Sequence, residues 1–175
     1  MHDVQWKVVF SEHGLQGLPF VSSRRGQTNL PGKPDENVCT AHFRLDSKSD
    51  SADPRVKQLK SKIAARLSGK DSQLQWADLD LSGWPAFYLK IWKAMHAIPF
   101  GRVATYAEIA RAAGSPLAFR ACGQACAANP VLLFIPCHRV ISATGIGGFS
   151  CGLEWKKIFL EKEGIDWRTC KKRRY

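Results

Sequence analysis

Cys137 and His138 are adjacent in the segment Pro136-Cys137-His138-Arg139, directly after the apolar run Val131–Ile135. Three readings fit that pairing: a nucleophilic sulfur beside its base, a metal ligand pair, or a buried structural cysteine with an unrelated neighbour. Nucleophilic attack needs thiolate, and a thiol with a pKa of about 8.5 is only slightly ionised at neutral pH, so a base must assist. Adjacent residues point different ways in any regular backbone, so sulfur and imidazole cooperate only across a curved chain or a bridging water. Metal ligation is the weaker alternative, because no second Cys or His pair stands nearby at ligand spacing. The other cysteines are Cys39, Cys122, Cys126, Cys151 and Cys170, with no C-x-x-C among them. Their spacing matches neither a disulfide framework nor a zinc ribbon. Cys122 and Cys126 stand four apart, on one face of a helix. With no secretory signal, free thiols are expected, mostly as small buried hydrophobes.

The elements that must position this pair follow from periodicity and punctuation. Val4, Trp6, Val8 and Phe10 alternate as in a half-buried strand, Gly14 and Gly17 offer a turn, and Val38–Leu45 reads as a second strand. Ser47–Pro54 is a polar loop. Asp53 caps a helix that starts at Pro54, carries Val56, Leu59, Ile63 and Leu67 at helical spacing, and stops at Gly69. The junction between two domains is expected near Gly83-Trp84-Pro85. Beyond it, Phe87, Ile91, Ala94 and Met95 form one apolar helical face, ended by Pro99 and Gly101. Thr105 and Glu108 form a capping box for a helix that runs to Gly114. Ser115 and Pro116 open the next, which continues to about Ala128 before Asn129-Pro130. Two short helices joined by a tight turn is the helix-turn-helix pattern, shared with many purely structural pairs. Val131–Ile135 suits a buried strand or extended segment, and a last helix bearing Phe159 and Leu160 ends near Gly164.

Charge narrows the partners. The chain has 175 residues and a net charge of +11. Residues 1–85 hold 12 Lys/Arg against 10 Asp/Glu, whereas residues 86–175 hold 14 against 5. A positive field confined to one half favours a polyanion, since each neutralised phosphate releases counterions; a solvated basic surface is the plain alternative. Six Trp and nine Phe supply a core. No apolar run approaches bilayer length, and the N-terminus lacks the features of a secretory signal, so a soluble intracellular protein without membrane contact is expected, cytoplasmic in a prokaryote and nuclear in a eukaryote.

The segment IPCHRVI resembles the O6-alkylguanine-DNA alkyltransferase family, as do IPFGRVATYAEIA, RACGQACAANP and GFSCGLEWKKIFLEKEG around it. The similarity runs from about Phe87 to Gly164 in ordered blocks. It implies an α+β protein with a ribonuclease H-like α/β domain over residues 1–80. A mostly helical, winged-helix-like DNA-binding and alkyl-acceptor domain follows over 86–166, with a basic tail at 167–175. It also implies direct, stoichiometric, irreversible transfer of a methyl or larger alkyl group from O6 of guanine in DNA to Cys137, with O4 of thymine left open as a second target. No cofactor and no metal are implied. The partner is double-stranded DNA containing O6-alkylguanine, bound by a monomer, with cooperative binding along DNA left open.

The resemblance carries residue roles. Cys137 is the acceptor, His138 its base through a water, and Glu163 the group that orients His138. Tyr106 donates to the guanine ring as charge builds there, and Asn129 ties the end of the recognition helix to the site. The carbonyls of Cys137 and Val140 accept from the exocyclic amine, and the Ser150 amide reaches O6. Phe149 and Cys126 line the pocket. Arg120 fills the gap left by a nucleotide rotated out through the minor groove, a rotation that costs a few kcal/mol. Ala121, Ala125, Ala127 and Ala128, with Ala118, are small enough for a narrow groove, and Thr105 is placed with them as a DNA contact. Close packing of two helices explains the alanines equally well.

Departures from the family pattern are Cys151, where Gly is common, and Phe149 in place of the usual Tyr; both flank the pocket rim and bear on substrate size. Cys39 is the only cysteine of the N-terminal region, so the zinc set of some relatives is not matched. The tail Lys171-Lys172-Arg173-Arg174 reads as a solvated end. Two rivals remain. A non-reacting alkyltransferase-like lesion-binding protein lacks the reactive cysteine, which this chain has. A Cys-His-Glu hydrolase of unrelated fold leaves the helix pair and the basic half unexplained.

Overall fold

The structure, a computed structural model, describes residues 5–10, 13–17, 20–21, 39–43 and 54–172. Val4, Asp53, the loop at 47–53 and the end of the basic tail lie outside the described residues. Helices dominate, accompanied by a small antiparallel sheet near the N-terminus and a two-stranded parallel sheet beside Cys137.

β1 (Gln5–Phe10) is the centre of the first sheet. β2 (Leu15–Gly17) and β3 (Phe20–Val21) pair with it along one edge, and β4 (Cys39–Phe43) pairs along the other. Gly14, at φ 148, makes the expected turn, but Gly17 belongs to a strand. A β-carbon on Gly14 would lie 2.6 Å from the Asp78 carbonyl oxygen, so the turn is pressed against the later chain. There the Asp80 amide donates to the Leu15 carbonyl at 3.0 Å.

α1 (Pro54–Leu67) begins with proline, whose missing N–H costs nothing at a helix start. It buries Val56, Leu59 and Ile63. Gly69 ends it at φ 82, and the Lys70 amide closes on the Ala65 carbonyl at 3.0 Å. α2 (Ala86–His96) buries Ile91, Trp92 and Met95. The indole of Trp92 donates to the Ala125 carbonyl at 2.8 Å and so pins α2 to the later helix pair.

β5 (Ala104–Thr105) leads into α3 (Tyr106–Ala112). The capping box is formed: the Glu108 amide donates to Thr105 Oγ1 at 3.2 Å, and the Thr105 amide donates to Glu108 Oε2 at 2.7 Å. α4 (Phe119–Ala127) starts three residues later than Ser115-Pro116 predicts. The Ser115 carbonyl is engaged in a turn with the Ala118 amide at 2.9 Å, and helical geometry begins only beyond it.

Val131–Ile135 is buried as expected but is no strand. The Ile135 amide donates to the Val131 carbonyl at 2.9 Å, and Leu133 adopts a left-handed conformation at φ 70. That conformation costs about 1–2 kcal/mol for a residue with a side chain. Complete burial makes the run apolar whatever its backbone does, which is why composition alone read it as extended. One helical turn over Cys137–Arg139 follows, then β6 (Val140–Ile141), which pairs in parallel with β5. α5 (Leu153–Lys162) buries Lys156, Phe159 and Leu160, and Gly164 reverses the chain at φ 71.

Candidate active site

The bend at Pro136 turns the chain so that Cys137 and His138 enter a short helical turn, with the Cys137 amide donating to the Ile135 carbonyl at 2.8 Å. The Cys137 side chain is only 4% exposed. Its sulfur accepts from Asn129 Nδ2 at 3.1 Å. The same amide group donates to the Ile135 carbonyl at 2.7 Å, while Asn129 Oδ1 accepts from the Val131 amide at 3.0 Å. Asn129 therefore ties the end of α4 to the turn that carries the sulfur. Burial pushes the Cys137 thiol up to about 12, against the opposing pull of the Asn129 hydrogen bond; Cys151 raises it further and Lys156 lowers it. The sulfur is thus held as a neutral thiol at neutral pH.

His138 is buried with its Nε2 2.9 Å from Glu163 Oε1. Glu163 is ionised at neutral pH, so Nε2 carries the proton and donates. Nδ1 then presents a lone pair, and it has no hydrogen-bond partner in the structure. Burial holds the imidazole pKa below its ordinary value; Glu163 raises it, and the charges of Arg139 and Arg66 lower it again. The ring stands edge-on to Phe159 with centroids 5.4 Å apart.

Glu163 caps the C-terminal end of α5, where the helix dipole disfavours an anion. Cations more than offset that penalty. Arg139 donates through Nε to Oε2 and through Nη2 to Oε1, both at 2.8 Å, and its Nη1 donates to the Ile98 carbonyl at 2.6 Å. Arg66 Nη1 lies 3.5 Å from Oε1, and the Gly101 amide donates to Oε2 at 3.3 Å. Burial raises the Glu163 pKa, but the hydrogen bonds and charges of His138 and Arg139 win and hold it at about 2.

The remaining expected residues surround this core. Tyr106, first residue of α3, is half-buried with its hydroxyl raised to about 12, by burial first and then by Cys126, Cys137 and Cys122. Gly147 backs its ring: at φ 72, a β-carbon there would lie 3.0 Å from the Ser142 amide nitrogen and 3.3 Å from Tyr106 Cε2. The Val140 carbonyl already accepts from Lys156 Nζ at 2.6 Å, and the same ammonium donates to the Gly148 carbonyl at 2.9 Å. Phe149 packs edge-on against Phe159 at 6.2 Å, and Ser150 is exposed. Cys126 is buried against Met95, sulfur to sulfur at 3.4 Å.

Arg120 is exposed on the first turn of α4, with Phe119 exposed beside it, and Ala127 is also exposed. Ala118, Ala121 and Ala128 are half-buried. Two expected DNA contacts are corrected. Ala125 is fully buried against α2, and Thr105 is buried with its hydroxyl committed to the capping box, so neither faces a groove. The alanine pattern there serves helix packing, the alternative weighed from sequence. Three residues had no assigned role: Arg139 and Lys156, both inside the quoted motifs, and Arg66. The signal for Arg66 was its position on the apolar stripe of α1, where a cation is costly. Among the described residues, no group of three or more His, Cys, Asp or Glu is placed to hold a metal, and no helix is long and apolar enough to cross a membrane.

Residues 86–165 match the family described as 6-O-methylguanine DNA methyltransferase, DNA binding domain. The chain is 33% identical over 150 residues to a methylated-DNA–protein-cysteine methyltransferase of Methanosarcina acetivorans, covering 85% of this chain and 86% of the relative. The chain belongs to the methylated-DNA–protein-cysteine methyltransferase family. The structure is similar to that of O6-methylguanine-DNA methyltransferase from Pyrococcus kodakaraensis, with a TM-score of 0.66 and 25% identity over 94% of this chain and 95% of the other. A Mycobacterium tuberculosis OGT solved in complex with DNA is 35% identical, with a TM-score of 0.58 over 70% of this chain and 78% of that one. Within this family frame, every residue of the buried cluster except Arg66 lies inside the matched segment.

Proposed function

We infer that this chain repairs alkylated DNA directly, taking a methyl or larger alkyl group from O6 of guanine onto Cys137 once and irreversibly. The observation that carries this reading is the buried His138–Glu163 pair, with its 2.9 Å imidazole–carboxylate bond and with His138 on the same turn as the buried Cys137, inside the segment that matches the methyltransferase family. Cys137 Sγ attacks the alkyl carbon, a carbon–sulfur bond forms and the carbon–O6 bond breaks, its electron pair staying with the guanine. The thiol proton passes through a water to Nδ1 of His138, whose new charge Glu163 balances. Tyr106 gives its hydroxyl proton to the guanine ring as negative charge grows there, so a neutral base departs, and the proton that His138 took from the thiol returns through water to the phenolate. Glu163 stays an anion throughout, because the cations on it hold its pKa so low. A thioether has no easy reversal, so each molecule acts once.

A thiol raised to about 12 resists oxidation and stray alkylation, which suits a nucleophile that can be used only once. Its burial also means that the lesion must come to it. Arg120, exposed on α4, fills the space of a guanine rotated from the duplex, and Ala121, Ala127 and Ala128 line the approach. Arg102 and Arg111 are exposed as well and add to the field that draws phosphate. The lesion is held by the carbonyls of Cys137 and Val140, the Ser150 amide, Phe149 and Cys126. In this reading the sheet of β1–β4 with α1 is a ribonuclease H-like domain over residues 1–80. Residues 86–166 form a winged-helix-like domain, and the protein works inside the cell, where its DNA is.

Cys137→Ser tests the assignment. Wild-type protein should remove the methyl group from a duplex carrying O6-methylguanine, while the variant binds that duplex and leaves it methylated. A variant that still demethylates would remove Cys137 as the acceptor.

A further inference from the structure

One buried charge takes no part in the transfer as described. Arg66 sits on the apolar stripe of α1 and is 3% exposed. A guanidinium is not buried without partners, because desolvation would then dominate. Its Nε donates to the Ser72 carbonyl and its Nη2 to Gln73 Oε1, each at 2.9 Å. Gln73 is held in turn, donating to the His96 carbonyl at 3.0 Å. Nη1 makes no hydrogen bond of its own and lies 3.5 Å from Glu163 Oε1. Phe100 and Phe134 flank the group at 5.9 and 6.0 Å. The backbone is shaped for this approach. A β-carbon on Gly69 would lie 2.7 Å from the Lys162 carbonyl oxygen, so the end of α1 is seated against the residue before Glu163.

We propose that Arg66 is a positioning residue of the alkyl-transfer site: from the N-terminal helix it joins Arg139 in clamping Glu163 and, through that carboxylate, sets His138. The role rests on the reading of Cys137 as alkyl acceptor and His138 as its base. With two guanidinium groups on one carboxylate, the cluster carries a surplus positive charge beside the imidazole. That surplus opposes imidazolium formation and keeps the ring neutral, with the proton on Nε2 and the lone pair on Nδ1. The charged groups acting on the ring are Glu163 at the end of α5, Arg139 on its own turn and Arg66 from α1; Cys137 precedes it on that turn, Asp71 acts on Arg66, and His96 of α2 lies in the field of both guanidinium groups. Removing Arg66 leaves Arg139 and Glu163 in balance, and His138 then accepts a proton at higher pH. A protonated His138 cannot take the thiol proton. The arrangement also couples the two parts of the chain, since a shift of α1 alters the base that serves Cys137.

Arg66→Gln and Arg66→Lys in the full chain test this. His138 is titrated by NMR in the DNA-free protein, and single-turnover methyl transfer from an O6-methylguanine duplex is followed between about pH 5 and pH 9. In Arg66→Gln the His138 midpoint should rise by about one unit, and the acid limb of the transfer profile should move to higher pH by the same amount, a roughly tenfold loss at any pH below both midpoints, while the alkaline plateau is kept. Arg66→Lys, which keeps the charge, should leave the midpoint where it is. An unmoved midpoint in Arg66→Gln with equal loss of rate at every pH would overturn the proposal, as would an equal shift in both variants. Should Arg66→Gln not fold, Arg66→Met takes its place with the same expected and overturning results, and a raised midpoint in Arg66→Lys also overturns the proposal. A wild-type protein that transfers no methyl to Cys137 defeats the alkyltransferase reading instead, and the His138 titration, made without DNA, tells the two failures apart.

Discussion

Replacing Glu163 by Gln removes the charge on which the buried cluster turns. Glu163 is buried and receives N–H groups from His138 at 2.9 Å, from Arg139 twice at 2.8 Å and from Gly101 at 3.3 Å, with Arg66 3.5 Å away. A glutamine offers one accepting oxygen, and its NH2 must face donors at the other corner. Breaking a buried ion pair from one side costs about 3–5 kcal/mol. A second route leads to the same size: a carboxyl held at about 2 against an ordinary 4.5 contributes about 3 kcal/mol, at roughly 1.4 kcal/mol per pH unit. For a chain of this length that loss corresponds to a fall of roughly 6–12 °C in Tm. The sign follows from a folded pKa below the unfolded one. The stabilisation is complete above about pH 4.5 and is lost as pH falls towards about 2. Urea denaturation followed by tryptophan fluorescence should therefore show Glu163→Gln less stable by about 3 kcal/mol at pH 7, with the gap closing in acid. Equal stability at pH 7, or a gap of the same size at about pH 3, would refute the clamp.

Asn129→Ala strands the Ile135 carbonyl and the Val131 amide and removes the donor to Cys137 Sγ. It should cost about 2–3 kcal/mol in thermal or urea melts and raise the thiol further, slowing iodoacetamide labelling at fixed pH; unchanged labelling would detach Asn129 from the sulfur. In the wild-type protein without DNA, labelling at Cys137, mapped by peptide mass, should climb steadily with pH and show no plateau below about pH 9, whereas a plateau near neutrality would contradict a thiol raised by burial. Arg120→Ala should slow transfer from duplex DNA at least tenfold while leaving reaction with the free modified base unchanged, given a flipping cost of a few kcal/mol. Equal slowing of both would argue against a role in opening the duplex.

How far the sequence foretold this site depends on whether a residue's signal is local. Thr105 and Glu108 announce a helix start by type and spacing, and the capping box is formed. Pro54 and Gly69 bound α1 for equally local reasons. Val131–Ile135 misled because burial from all sides produces an apolar run regardless of backbone, and nothing in five apolar residues marks a left-handed Leu133. Ala125 and Ala127 are alike in type, yet one is buried against α2 and the other exposed; only helix phase separates them. Arg66 is the instructive omission. Its partner is nearly a hundred positions away, so its spacing carries no signal, and only its place on an apolar stripe hinted that a buried anion awaited it.

The transfer itself can be weighed. Protein in excess is incubated with duplex DNA carrying an isotopically labelled methyl on O6 of guanine, and the label is located by peptide mass. The account predicts that guanine is restored, that the label resides on Cys137 alone, and that one methyl is taken up per protein molecule with no second turnover. Label on another residue, or repeated turnover by a fixed amount of protein, would contradict it.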